Sequence, residues 1–275
     1  MKKLLLILIS FFPLFAKLNV AISIPPQEYI LEQIAPNLVN ATLLVKPGNS
    51  PHTYEPKASQ MVNLSKAKLY FAIGVEFEKA WLNRFKSQNP NLKIIHTDAN
   101  ISKIPIAFGQ EKGELDPHIW LAPKNIKTIA INMANALIEY DSNNTKAYKY
   151  NLKKFLNRVD SLDKEIKAKL SNLKNRNFLV FHPSWGYFAK EYNLNQIAIE
   201  ISGKEPSAKD LIKIIKLAKA KNIKVIFVQP EFSTKSANLI AKELNIAVVK
   251  ISPLQKNIIK NLTKFTNALV GNYEK

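Results

Sequence analysis

The sequence predicts an α/β protein of two lobes, each built on a mainly parallel sheet, joined by one long linking helix. Three observations predict it. Short β-type runs alternate with helical patterns from about residue 18 to residue 95, the signature of parallel strands with crossover helices. One uninterrupted helical periodicity then carries Tyr148, Leu152, Phe155, Leu156, Val159, Leu162, Ile166, Leu170 and Leu173 at steps of three or four. The strand–helix alternation restarts at Phe178. The chain therefore divides into a leader at 1–16, a first lobe at 17–142, the linking helix at 143–174 and a second lobe at 175–275.

In order, residues 18–24 read as a strand. Pro25 and Pro26 open a helix to about residue 35, because proline is tolerated in the first turn. Residues 41–45 form a second strand, ended by the turn-forming Pro47-Gly48-Asn49-Ser50. Helix 57–68, strand 69–73, helix 76–88 and strand 92–95 follow. Residues 100–114 are irregular, and a helix runs from about 123 to 140. Asp141 to Asn144 supply turn and N-cap residues for the linking helix. About 30 residues at ~1.5 Å each make that helix ~45 Å long, enough to cross a lobe. Beyond it, strands are expected near 178–181, 196–199, 225–228 and 247–249. Helices are expected near 185–192, 209–221, 234–244 and 255–273. Ser207 and Asp210 have the spacing of a capping box.

The chain has four histidines, and three lie in similar proline-flanked, aromatic segments. They are His52 in Ser50-Pro51-His52-Thr53-Tyr54-Glu55-Pro56, His118 in Leu115-Asp116-Pro117-His118-Ile119-Trp120, and His182 in Phe181-His182-Pro183-Ser184-Trp185. Their separations, 66 and 64 residues, are too wide for a zinc finger or a helical His-Glu-x-x-His pair. They suit three loops converging on one divalent metal ion, for which imidazole is a usual ligand. His52 and His182 each follow the carboxyl end of an expected strand, where open α/β sheets bind ligands. One comes from each lobe, so the site is expected between them. His96 lacks the proline and aromatic setting and is set aside. Glu55 and Asp116 are the candidates for holding the second nitrogen of His52 and His118. Tyr54, Trp120 and Trp185 are read as packing residues able to exclude water.

Lys2 and Lys3 precede an apolar stretch at 4–15 that is too short to span a bilayer, as in a secretory signal peptide. Export of the mature chain is expected. With no cysteine, a metal site must use histidines and carboxylates, and no thiol can carry a lipid anchor. The net charge of +19 is spread over all the expected helices and not gathered into one arm, so no nucleic-acid partner is expected. A monomer is expected. A three-histidine site with water in the fourth position also fits a zinc hydrolase. No nucleophile elbow, zincin motif or general base accompanies it here, and the chain is read as a binding protein, not an enzyme.

These segments resemble the zinc-type periplasmic solute-binding proteins of metal ABC importers. The resemblance runs from about Leu18 to the C-terminus. It rests on the segments around His52 and His118, His182 with Trp185-Gly186-Tyr187-Phe188, Gln229-Pro230-Glu231-Phe232, and Ile251-Ser252-Pro253-Leu254. It implies two lobes on a helical backbone, Zn²⁺ or Mn²⁺ bound between them, and delivery to an ABC transporter permease in the inner membrane. Two departures follow. Ser252 stands where such proteins commonly have an aspartate that can be the fourth ligand. Gln229-Pro230-Glu231-Phe232 stands where they usually have Glu-Pro-Gln-Phe. The fourth position is left to water, Glu231 or another acid. The stretch 108–114 replaces a long His-rich loop and has no histidine. His182 at the third position, where manganese-type relatives often have glutamate, favours Zn²⁺ over Mn²⁺, because manganese prefers oxygen ligands.

Overall fold

The computed structural model describes residues 17–106, 113–201 and 204–273. The leader expected at 1–16 and most of the 108–114 stretch lie outside the described residues. The first lobe contains β1 (Leu18–Ile22), α1 (Pro25–Ile34), β2 (Val39–Leu43), α2 (Ala58–Ser65), β3 (Leu69–Ala72), α3 (Glu76–Gln88), β4 (Lys93–His96) and α4 (Pro123–Tyr140). Its sheet is parallel throughout, in the order β2-β1-β3-β4. The second lobe contains β5 (Asn177–Val180), α6 (Gly186–Glu191), β6 (Asn195–Ala198), α7 (Ala208–Ala220), β7 (Val225–Val228), α8 (Lys235–Leu244), β8 (Ala247–Lys250) and α9 (Ile258–Tyr273), with α5 (Thr145–Leu170) between the lobes. Its sheet is also parallel, in the order β6-β5-β7-β8. The two-lobed α/β expectation holds.

Each sheet reverses its strand order at its first strand, β1 or β5. The crevice beyond the carboxyl ends of such strands is left open by the diverging crossovers. Central strands are buried on both faces. All four residues of β3 and of β7 are buried, as parallel sheets covered by helices require. In the first lobe, Gln27 fixes the turn into α1. Its Oε1 accepts from the Ser23 and Ile24 amides, and its Nε2 donates to the Phe71 carbonyl of β3 at 2.8 Å.

The apolar stripe expected on the linking helix is its buried face. Tyr148, Phe155, Val159, Leu162, Ile166 and Leu170 all point inward. The amino-terminal half of α5 packs on α1, where Asn151 donates to the Ile34 carbonyl and Arg158 to Gln33 and the Tyr29 hydroxyl. Its other end lies along α9, tied by Lys169 to Asn267. The helix ends three residues before Leu173, which continues the stripe from a turn closed by the Ser171 and Leu173 amides. At the other end, Asn144 does not cap α5. Its side chain donates to Asp141, which also accepts from the Tyr148 hydroxyl. Ser207 does cap α7, accepting the Asp210 amide at 3.2 Å.

One continuous core runs through the first lobe, α5 and α9 into the second sheet. A smaller apolar cluster lies between that sheet and the α7–α8 pair. A shared core of this kind resists independent movement of the lobes, since opening would expose apolar area at ~25 cal/mol per Å². No described helix is long and apolar enough to cross a membrane.

Candidate metal centre

The three expected histidines meet. One ligand atom from each of His52, His118 and His182 lies within 4.8 Å of the others. The ring centroids are 4.9 Å apart for His52 and His182, 5.2 Å for His118 and His182, and 6.2 Å for His52 and His118. His96 stays at the end of β4 with its side chain 63% exposed, 3.6 Å from Asp98.

Each histidine is delivered by a differently braced loop. The His52 loop follows β2. Beyond His52, Tyr54 donates to Gln60, and the Gln60 amide donates to the Leu43 and Leu44 carbonyls. His118 opens a short 3-10 turn before α4, and Asp116 accepts from both its backbone amide and its Nδ1, at 2.9 and 2.8 Å. His182 follows β5. Gln229, just past β7, grips its backbone on both sides, accepting from its amide and donating to its carbonyl and to the Ser184 hydroxyl. Phe232 then stacks on the His182 ring at 4.9 Å.

A carboxylate holds the Nδ1 of every ring. Asp116 serves His118 as expected, Glu200 serves His182 at 2.7 Å, and Glu76 serves His52 at 3.2 Å. With Nδ1 engaged in each ring, Nε2 is the nitrogen that can turn to a shared ion. His182 Nε2 is buried and has no hydrogen-bond partner among the described residues, which fits a nitrogen that ligates a metal. Glu55, the expected partner of His52, is exposed instead.

Glu76 and Glu200 escaped the sequence reading. Glu76 begins α3, where an acid reads as a favourable first-turn charge. Glu200 follows a strand with no motif around it. The only available signal was position, since both follow the carboxyl ends of strands, as His52 and His182 do.

Charge and burial agree with a site for a cation. Glu76 would be raised by its burial, but its hydrogen bond to His52 and the charges of His52 and His118 outweigh this and hold the carboxyl at about 2. Burial pushes the His182 imidazolium down, and the neighbouring His118 and His52 reinforce it against the pull of Glu200. His182 is therefore neutral at pH 7, the form that donates to a metal. The space beside the rings, bounded also by Trp120, Phe232 and Leu254, has a volume of ≈ 20 Å³, room for one water-sized group.

The lobes meet around this space. Trp120, fully buried beside the His118 ring, donates its indole N–H to the Pro253 carbonyl of the second lobe at 2.8 Å. Tyr187 of α6 donates to the Asp116 carbonyl at 2.9 Å. Gly186 permits this approach, because a Cβ there would stand 2.5 Å from Asp116 Oδ2. Trp185, by contrast, belongs to the core, stacked on Phe265 at 3.8 Å.

Two lobes whose strand ends face one small three-imidazole cage define a solute-binding protein for a metal ion. Residues 20–274 match the family of the periplasmic zinc-uptake complex component A. The chain belongs to that family, whose members are extracytoplasmic solute-binding components of metal ABC importers. A solved structure of a ZnuA deletion mutant with zinc bound is 40% identical, with a TM-score of 0.88 over 94% of this chain and 98% of that one. The manganese ABC transporter substrate-binding lipoprotein ScaA of Streptococcus gordonii is 32% identical over 85% of this chain and 78% of its own. The high-affinity zinc uptake system protein ZnuA of Bacillus subtilis (strain 168) is 28% identical over 87% and 79%.

Proposed function

We propose that this chain captures Zn²⁺ between its lobes through His52, His118 and His182 and delivers it to the permease of an ABC importer. The observation that carries this reading is the convergence of three imidazoles, each with its Nδ1 already held by a carboxylate. That arrangement fixes ring orientation and tautomer before the ion arrives, and it raises ligand basicity. Tetrahedral zinc accepts three imidazoles and a fourth group readily. A relative named for manganese keeps that ion in view, but an all-nitrogen cage disfavours it, because manganese prefers oxygen and stands at the weak end of the divalent series.

Release then falls to the His52 loop. Its imidazole is 31% exposed, against 7% and 6% for those of His118 and His182. The shared core and the lobe-to-lobe hydrogen bonds, those of Trp120 and Tyr187 among them, oppose wide opening, so withdrawal of the His52 loop is the short route out. The leader at 1–16 would be removed on export to the periplasm, leaving a monomeric carrier with no catalytic task.

Metal content and competitive titration of the mature protein test the reading. One tightly bound zinc per chain, poorly displaced by excess Mn²⁺, is expected. Sub-stoichiometric binding, or ready exchange with Mn²⁺, defeats the zinc assignment. Amino-terminal sequencing of the exported protein tests the leader.

A further inference from the structure

The three imidazoles and their three carboxylate partners leave one acid at the centre unexplained. Glu231 lines the same enclosed space as His52, His118 and His182. Its Oε1 accepts the Ser252 hydroxyl at 2.7 Å. Its Oε2 is buried and has no hydrogen-bond partner among the described residues. A buried carboxylate oxygen without a partner is costly unless something there offers it a proton or a positive charge.

The position of Glu231 is fixed from several sides. Gln229, two residues before it, is bonded to the backbone of His182. Phe232, the next residue, is stacked on the His182 ring. Ser252 is itself oriented, since its Oγ accepts the Leu254 amide at 3.1 Å while donating to Glu231. The carboxylate nevertheless does not belong to the set of ligand atoms that lie within 4.8 Å of one another, which among the described residues is the three histidines.

We propose that Glu231 is the outer acid of the fourth coordination position: Ser252 fixes Oε1, and Oε2 accepts a hydrogen bond from the water that completes the three-histidine site. This rests on the metal-capture reading above. A carboxylate is acceptor-only, and a water polarised by a dication is a strong donor, so the two match in sign and direction. The negative charge beside the site also favours a dication over water alone. Ser252, a poor ligand itself, acts here by aiming Glu231. It is a positioning residue one step further out.

The test compares wild type, Glu231→Gln and Ser252→Ala as full mature chains. Zinc affinity is measured by competition with a chromophoric chelator, and site geometry by the ligand-field absorption of the Co²⁺-loaded protein. Glu231→Gln is expected to weaken zinc by about 10- to 100-fold, the range for outer-layer partners of metal ligands. Its Co²⁺ bands should stay tetrahedral in intensity but shift in position. Ser252→Ala should show the same shift in smaller degree. Thermal stability of the metal-free Glu231→Gln protein should not fall, since a carboxylate with an unpartnered oxygen is replaced without loss of shape. A variant within about twofold of wild type, with unchanged bands, overturns the proposal while leaving the carrier reading intact. A zinc-loaded crystal structure with the Glu231 carboxylate bonded directly to the ion overturns its water-mediated form. Failure of the wild type to bind zinc removes both readings.

Discussion

The two sides of the histidine cage are built to different standards. His182 and Glu200 are buried, with side chains 6% and 3% exposed, and His118 and Asp116 match them at 7% and 3%. His52 and Glu76 are 31% and 34% exposed, and their contact is longer, 3.2 Å against 2.7 and 2.8 Å. The buried pairs sit in a low-dielectric floor where a hydrogen bond to a charge is strong and its loss expensive. The exposed pair sits at the mouth, where water can replace either partner. The site thus has a rigid floor and a replaceable gate, and substitutions should separate the two.

The largest effect is expected from His182→Ala. A tetrahedral zinc site worth roughly 10–16 kcal/mol over four ligands loses on the order of 3 kcal/mol per ligand, about a hundredfold or more in affinity. Competitive zinc titration measures this. It should exceed the loss in His52→Ala, because the truncated floor residue also strands Glu200 as a buried, unpaired carboxylate. Equal losses for the two variants would erase the distinction between floor and gate.

Next come the carboxylates. Glu200→Gln is expected to cost about 10- to 100-fold in zinc affinity, and Glu76→Gln to fall at or below the lower end of that range, because solvent screens its contact. The same titration ranks them. If Glu76→Gln proves the more damaging, the gate is as organised as the floor.

Acidity should act on both sides in one direction. His182 has its folded pKa below the ordinary 6.5, so its contribution to stability is complete above 6.5 and is lost as pH falls through the folded value. Glu76, held at about 2 against an ordinary 4.5, contributes fully above 4.5 and loses its contribution between there and about 2. The metal-free protein should therefore melt at progressively lower temperature from pH 7 downward, first through His182 and then through Glu76. Zinc affinity should fall over the same upper window, because protons compete for imidazole. In Glu76→Gln the lower step should shrink. A melting temperature flat from pH 7 to 3 contradicts both assignments.

The smallest effect is expected from Trp120→Phe, which removes the indole hydrogen bond to Pro253 but keeps most of the buried ring. The stranded carbonyl costs about 1–3 kcal/mol of stability, read by denaturant unfolding. Zinc affinity should change far less, because the floor pairs are untouched. A large affinity loss here would mean that the lobe-to-lobe contact, and not the pairs themselves, sets the site.

Much of this was legible in the residues. Strand–helix alternation gave two parallel-sheet lobes, and the stripe from Tyr148 to Leu170 gave the long helix with its buried face. Three proline-set histidines gave the cage, and the Asp116–His118 pair was readable because its members are two residues apart. These are local patterns, and periodicity and short-range spacing are properties a chain carries before it folds. The partners of His52 and His182 were not readable. Glu76 and Glu200 are 24 and 18 residues from their histidines, and Glu55, nearer in sequence, is exposed. The contacts depend on which strands lie side by side: β2 and β3 flank β1, and β5 pairs with β6, so loops distant in sequence end at one crevice. The Ser252–Glu231 contact arises in the same way, from β7 beside β8. The sequence by itself determined the elements and the three histidines that meet at one crevice. Strand order alone decided which carboxylates steady His52 and His182, because a hydrogen bond is set by distances of a few tenths of an ångström that no spacing along the chain encodes.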